Sequence, residues 1–198
     1  MMHTVCVFCG SSMGNHELYK TAAEALGKIL AQKKMTLVYG GADVGLMKVL
    51  ADACLQAGGN VTGVMPYRLI DKEIAHQRIQ RLHAVDTMAQ RKELMVELSD
   101  AFIALPGGFG TLDELSEILT FNQLRISDKP LGLLNTNGYF DLLLQFFDKG
   151  VAEGFVRKEH RENIVVSDSI EELLQRLALW QPLETQKWIE DIKTESKM

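Results

Sequence analysis

The strongest constraint in this chain is a unit written three times: a short apolar run, a glycine-rich turn, then apolar residues at helical spacing. Thr4 to Phe8 runs into Cys9-Gly10-Ser11-Ser12-Met13-Gly14-Asn15, Met35 to Tyr39 into Gly40-Gly41-Ala42-Asp43-Val44-Gly45, and Ala101 to Leu105 into Pro106-Gly107-Gly108-Phe109-Gly110-Thr111. Apolar runs of this length, bounded by turn residues, read as buried strands. Beyond each turn the period becomes helical. Leu18, Ala22, Ala25, Leu26 and Ile29 follow the first, Leu46 to about Gln56 the second, and Leu112, Leu115, Ile118, Leu119 and Leu124 the third. Such alternation predicts an α/β fold, a parallel sheet with helices on both faces and ligands received at the strands' carboxyl ends. Further strands are expected at Asn60 to Met65, stopped by Pro66, and at Leu82 to Val85, Leu131 to Leu134 and Ile164 to Val166. Further helices are expected at Thr87 to Leu98, Tyr139 to Lys149 and Ile170 to Leu179. A chain of 198 residues suits one such domain, over residues 1–179, with a C-terminal tail over 180–198 in which Lys193 to Met198 should fray.

Composition removes several functional classes. The formal charge of −5 offers nucleic acid no general attraction, so an anion must be met by a local pocket. No run approaches the ~18 apolar residues of a membrane span, and Met1-Met2-His3-Thr4 leads straight into a strand, so a cytoplasmic protein is expected. Cys6, Cys9 and Cys54 are too few for a disulfide framework, and Cys6 and Cys9, three apart in a strand, point to opposite faces. The five histidines are scattered without metal-binding spacing, so neither a metal nor a redox cofactor is expected.

The third turn carries the chemistry. Its glycines let a ligand touch the main chain, and the first turn of the following helix offers unpaired N–H groups with a partial positive charge. Together they make an anion cradle, most simply for phosphate. Gly107, Gly108, Phe109, Gly110, Thr111 and Leu112 form it, with Ser11 and Gly41 as candidates from the first two turns. Asp113 and Glu114 bring carboxylates beside it. Thr111-Leu112-Asp113-Glu114 also has the form of a capping box, with Thr111 as N-cap and Glu114 reaching back to its N–H. Arg91 is a second signal: it interrupts the stripe Met88, Arg91, Met95, Leu98 that should pack inward, near a helix start where its charge opposes the dipole. An inward arginine there needs an anion, a carboxylate such as Glu114 or a bound phosphate, unless it snorkels to the surface. Lys92, one position on, is expected to be exposed. Pro66 to Arg81 is polar and irregular, a candidate lid or a plain surface loop.

Assembled, Arg91-Lys92, Pro106-Gly107-Gly108-Phe109-Gly110-Thr111 with Glu114, and Gly40-Gly41 to Gly45-Leu46-Met47 resemble the Lonely Guy family over about Val5 to Leu177. Its members are cytokinin riboside 5′-monophosphate phosphoribohydrolases, a set also labelled lysine decarboxylases. The resemblance implies a Rossmann-like homodimer that hydrolyses the N-glycosidic bond of purine nucleoside 5′-monophosphates without a cofactor. It implies Arg91 and Glu114 as catalytic residues, and Glu73, Arg91, Lys92, Gly108 to Glu114 and Thr120 as nucleotide contacts. Three positions depart from the family pattern: Lys48 replaces a usual glycine, Ala89 a frequent histidine, and Asp113 a common glutamate. The alternatives are a carrier of the same fold that binds a nucleotide or molybdenum cofactor without turnover, and a pyridoxal phosphate decarboxylase, which would need a Schiff-base lysine such as Lys92 or Lys48.

Overall fold

A computed structural model of the protein describes residues 2–183 apart from Asp71 and Glu73; the expected fraying of Lys193 to Met198 falls outside the described residues. Seven strands form one parallel sheet: β1 (Thr4–Phe8), β2 (Thr36–Tyr39), β3 (Val61–Pro66), β4 (Arg81–Val85), β5 (Ala101–Ala104), β6 (Leu131–Leu134) and β7 (Val165–Ser167). Their order is β4-β3-β2-β1-β5-β6-β7, with every neighbouring pair parallel. The chain therefore winds outward from β1 in one direction, returns, and winds outward in the other from β5. The reversal lies between β1 and β5, where open α/β sheets leave a crevice at the strand ends.

Both faces of the sheet are buried, which is why the central strands read as unbroken apolar runs instead of alternating ones. One face packs against α1 (Glu17–Gln32), α2 (Gly45–Gln56) and α8 (Ile170–Leu179), around Val5, Val7, Leu26, Leu30, Leu50 and Leu173. The other packs against α4 (Met88–Glu97), α5 (Phe109–Leu124) and α6 (Asp141–Ala152), around Cys6, Phe8, Met95, Phe102, Leu115 and Ile118. Cys6 and Cys9 fall in opposite cores, as strand periodicity requires, and both are free thiols, as is Cys54.

Several boundaries differ from expectation. Pro66 closes β3 as its last residue instead of stopping it, at a position where the missing N–H is tolerated. The irregular stretch after it contains a one-turn helix, α3 (Tyr67–Ile70), and another short helix, α7 (Lys158–Glu162), precedes β7. Helix α6 begins at Asp141 rather than Tyr139, because Thr136–Gly138 forms a 3-10 turn first. Thr87 caps α4, its hydroxyl accepting from the Gln90 N–H at 3.1 Å. The Gln90 side chain reaches back one residue further than a capping box requires, to the N–H of Asp86 at 2.9 Å. Among the described residues no helix is long and apolar enough to cross a membrane.

Candidate active site

The β1–β5 crevice is closed at its base by backbone contacts between the glycine turns. The Gly10 N–H donates to the Pro106 carbonyl at 3.0 Å, and the Leu46 N–H donates to the Gly10 carbonyl at 3.0 Å. Above them lies a cleft of about 190 Å³, lined by the ends of β1 and β2, by Ser11, Gly40 and Met47, by Arg91, and by Gly108, Phe109, Gly110, Thr111 and Glu114. A neighbouring cavity of about 200 Å³ shares Gly10, Ser11 and Gly108 with it. Helix α5 points its N-terminus here. Gly108 is its N-cap, and the first carbonyl pairing of the helix is Leu112 N–H to Gly108 at 3.1 Å. The N–H groups of Phe109, Gly110 and Thr111 precede that pairing, so they supply the donors of an anion cradle.

Arg91 and Glu114 form a buried ion pair on the wall of this cleft. Arg91 Nη1 lies 2.7 Å from Glu114 Oε1, and Arg91 Nε donates to the Val64 carbonyl at 3.1 Å. Their residues are only 9% and 7% exposed, so the pair sits in a medium where removing either partner leaves an uncompensated charge. The guanidinium lies tightly across the end of β2: a Cβ at Gly40 would collide with Arg91 Nη2, which is why a glycine stands there. Burial pushes the Glu114 carboxyl above the ordinary glutamate value, and the neighbouring Arg91 charge opposes that rise without cancelling it. A carboxylate poised upward, beside an anion cradle, has the character of a general base.

The capping-box reading of Thr111 and Glu114 is overturned. Because glycines permit the chain to turn earlier, the helix starts at Phe109, Thr111 is buried inside its first turn, and the Glu114 carboxylate is committed to Arg91. The alternative of a snorkelling Arg91 is overturned by the same contact.

Other expected contacts scatter. Ser11 and Gly108 to Thr111 line the cleft, and Gly107 lines the adjoining cavity. Gly41 does not face the cleft. It packs on β3, and its carbonyl accepts the His76 N–H at 2.9 Å. Lys92 is not exposed as expected. It is clamped to α5 by Asp113 and Glu117, each at 3.1 Å. Burial draws its ammonium downward, but the hydrogen bonds it donates to Glu117 and Asp113 outweigh this and hold it up, charged and unsuited to Schiff-base formation. Leu112 faces an apolar cavity with Phe109, Tyr139 and Leu143. Thr120 lies further along α5, donating to the Ser116 carbonyl at 2.9 Å and lining a separate cavity. Glu73 lies outside the described residues.

Among the described residues, Asp43, Asp52 and His76 are clustered closely enough to hold a metal ion. Lys48 and Arg78 already fill that role with positive charge: Lys48 Nζ is 2.5 Å from Asp43, and Arg78 pairs with Asp52. Lys48, a departure from the family pattern, thus ties the turn after β2 to α2. The buried thiols are not nucleophiles. Burial, reinforced by the Glu114 charge, pushes Cys6 and Cys9 well above the usual thiol range, and burial takes Cys54 to about 11. Sequence reasoning missed Gly40 and Met47 in the cleft and Tyr139 beside it. The glycine run after β2 signalled Gly40, whereas nothing in the pattern marked Tyr139.

The family model described as "Possible lysine decarboxylase" matches residues 47–177. Two Arabidopsis thaliana proteins named cytokinin riboside 5′-monophosphate phosphoribohydrolase, LOG1 and LOG5, are 48% and 46% identical to this chain. Both matches cover 90% of it, and 84% and 78% of those proteins respectively. The solved structure of the molybdenum cofactor carrier protein from Chlamydomonas reinhardtii superposes with a TM-score of 0.65 at 21% identity, over 88% of this chain and 99% of that one, a likeness of fold. The strand order, the P-G-G-x-G-T turn at the sheet's reversal and the extent of identity lead to one assignment: the chain belongs to the Lonely Guy family of cytokinin riboside 5′-monophosphate phosphoribohydrolases.

Proposed function

We propose that this protein hydrolyses the N-glycosidic bond of purine nucleoside 5′-monophosphates, AMP or its N6-substituted forms, to the free base and ribose 5-phosphate. The observation that carries the reading is the Arg91–Glu114 pair, 2.7 Å apart and buried, set on the wall of a cleft whose rim is the amide end of α5. Phosphate seats on the amides of Gly108 to Thr111, with Ser11 as an additional donor. Breaking the C1′–N9 bond leaves positive charge on the ribose, which the Glu114 carboxylate offsets from nearby. The same carboxylate takes a proton from the attacking water as its oxygen bonds to C1′, while the C1′–N9 electrons and a proton go to the departing base. Arg91 fixes the carboxylate's direction and keeps it from protonating too readily.

The relatives' printed names support a phosphorylated purine riboside as substrate. Incubating the protein with AMP and measuring free adenine together with ribose 5-phosphate tests the reading. Stoichiometric binding without release of adenine would instead place the chain with the carriers. A homodimer completes the proposal: Phe109, Leu142, Phe146 and Phe155 are each at least 70% exposed, and apolar side chains of this size call for a partner surface. Three buried free thiols fit a cytoplasmic site of action, where a reducing medium preserves them.

A further inference from the structure

Outside the cleft, one side chain holds the backbone of the phosphate turn. The Tyr139 hydroxyl donates to the carbonyl oxygen of Gly107. Tyr139 reaches that position because the chain turns sharply after β6, with Asn137 and Gly138 both at positive φ, 56° and 66°. Asn135 closes the turn: its side-chain oxygen accepts the Phe140 N–H at 2.8 Å and its amide donates to Asp141 Oδ1 at 2.7 Å. The phenol ring stands edge-on to Tyr19 of α1 and to Phe140, with centroids 5.6 and 5.2 Å away, so its aim is set from two sides.

The preceding carbonyl is held as well, since Pro106 accepts from the Gly10 N–H at 3.0 Å. Two successive carbonyls of the turn are thus gripped by donors from outside it. Among the described residues no peptide bond is cis, and in a planar trans peptide the N–H of one residue points opposite to the carbonyl before it. Holding the Gly107 carbonyl toward Tyr139 therefore turns the Gly108 N–H away from Tyr139. Gly108 borders the two cavities that Tyr139 lines and also the cleft with Arg91 and Glu114, which Tyr139 does not line, so an amide turned away from Tyr139 is directed to the cleft. The restraint matters because Gly107-Gly108 is the most flexible dipeptide the turn could contain. Position 107 cannot be stiffened by a side chain, because a Cβ there would collide with the Thr111 hydroxyl, whereas a Cβ at 108 would meet open space.

We propose that Tyr139 is a positioning residue for the phosphate cradle, its hydroxyl locking the Gly107–Gly108 peptide so that the Gly108 N–H faces the substrate's phosphate. This rests on the reading of the turn as a phosphate site. The test is Tyr139→Phe, which removes one oxygen from a partly exposed ring and leaves both aromatic contacts. Wild type and variant are titrated calorimetrically with ribose 5-phosphate and with adenosine, which lacks the phosphate. Loss of one preorganised hydrogen bond predicts an affinity for ribose 5-phosphate weakened about three- to tenfold, with that for adenosine unmoved. Equal affinity of both proteins for ribose 5-phosphate, or equal weakening toward both ligands, overturns the proposal. Failure of the wild type to bind ribose 5-phosphate at all overturns the phosphate reading beneath it.

Discussion

Replacing Glu114 by glutamine separates charge from shape. Glutamine keeps an oxygen for the Arg91 Nη1 donor now 2.7 Å away, so the contact survives as a hydrogen bond to a neutral group. Exchanging a charge-assisted bond for a neutral one loses about 1 kcal/mol. Against this, the variant no longer holds an anion where burial already pushes the carboxyl upward. The two changes oppose each other only in part, since the buried Arg91 guanidinium keeps a hydrogen bond but loses its counter-charge; stability should fall by about 1–3 kcal/mol, or ~2–12 °C in melting temperature for a chain of this size. Catalysis has no such compensation, because an amide neither takes a proton from water nor offsets charge at C1′. General-base action is worth ~10²–10⁴-fold in rate, equivalent to ~3–5 kcal/mol of barrier. Adenine release from AMP and thermal unfolding by circular dichroism, measured on the same samples, should show a folded protein at least about a hundredfold slower. Wild-type turnover by folded Glu114→Gln would refute the catalytic role.

Arg91→Ala strands the Glu114 charge and should cost about 3 kcal/mol in denaturant unfolding; it should also move the acidic limb of kcat/KM to higher pH, since the influence lowering the Glu114 carboxyl is gone. A limb that stays in place would mean the pair is not what sets it. In the wild type the raised Glu114 carboxyl makes the native state bind that proton at higher pH than the unfolded chain does, so stability rises as pH falls through its titration and levels off near the ordinary glutamate value of ~4.3. Melting temperatures taken from about pH 8 down to 4 should show the wild type gaining on Glu114→Gln; a constant gap between them would contradict the direction of the shift. Gly40→Ala drives a methyl group into Arg91 Nη2 and should slow adenine release at least about tenfold while the circular dichroism spectrum is unchanged, a result that normal activity would exclude. Leu142→Asp with Phe146→Asp, on side chains 78% and 70% exposed, should convert a dimer to monomers in sedimentation; a monomeric wild type would end that reading.

Much of the fold was legible because burial on both faces leaves its mark as apolar runs, as at Val5-Cys6-Val7-Phe8 and Ala101-Phe102-Ile103-Ala104, each ended by glycines. Helices α3 and α7, of 4 and 5 residues, are too short for any period to emerge. Arg91 was legible because a charge broke an apolar stripe, and burial bears that out with Met95 beside it. Thr111 misled because T-x-x-E spells a capping box whether or not the helix starts there; the start is decided by the glycines, whose freedom no spacing rule encodes. Thr120 and Lys92 stayed out of the cleft for a simpler reason, since helix rotation carries neighbours in sequence to different faces. Tyr139 was invisible because its partner is a main-chain carbonyl 32 residues away, and such a partner leaves no trace in residue identity.

Arg91 and Glu114 are carried by the helices on either side of β5, only 23 residues apart. The two charges that matter are thus delivered by a single helix–strand–helix segment, and bringing them together closes only a short loop of chain. Such a centre is modular toward one margin: β7 pairs only with β6 and touches neither residue, whereas β4 leads within two residues into α4 and its partner β3 holds the guanidinium through Val64. Tolerance of change at the β7 margin is therefore built into where the chain places one strand.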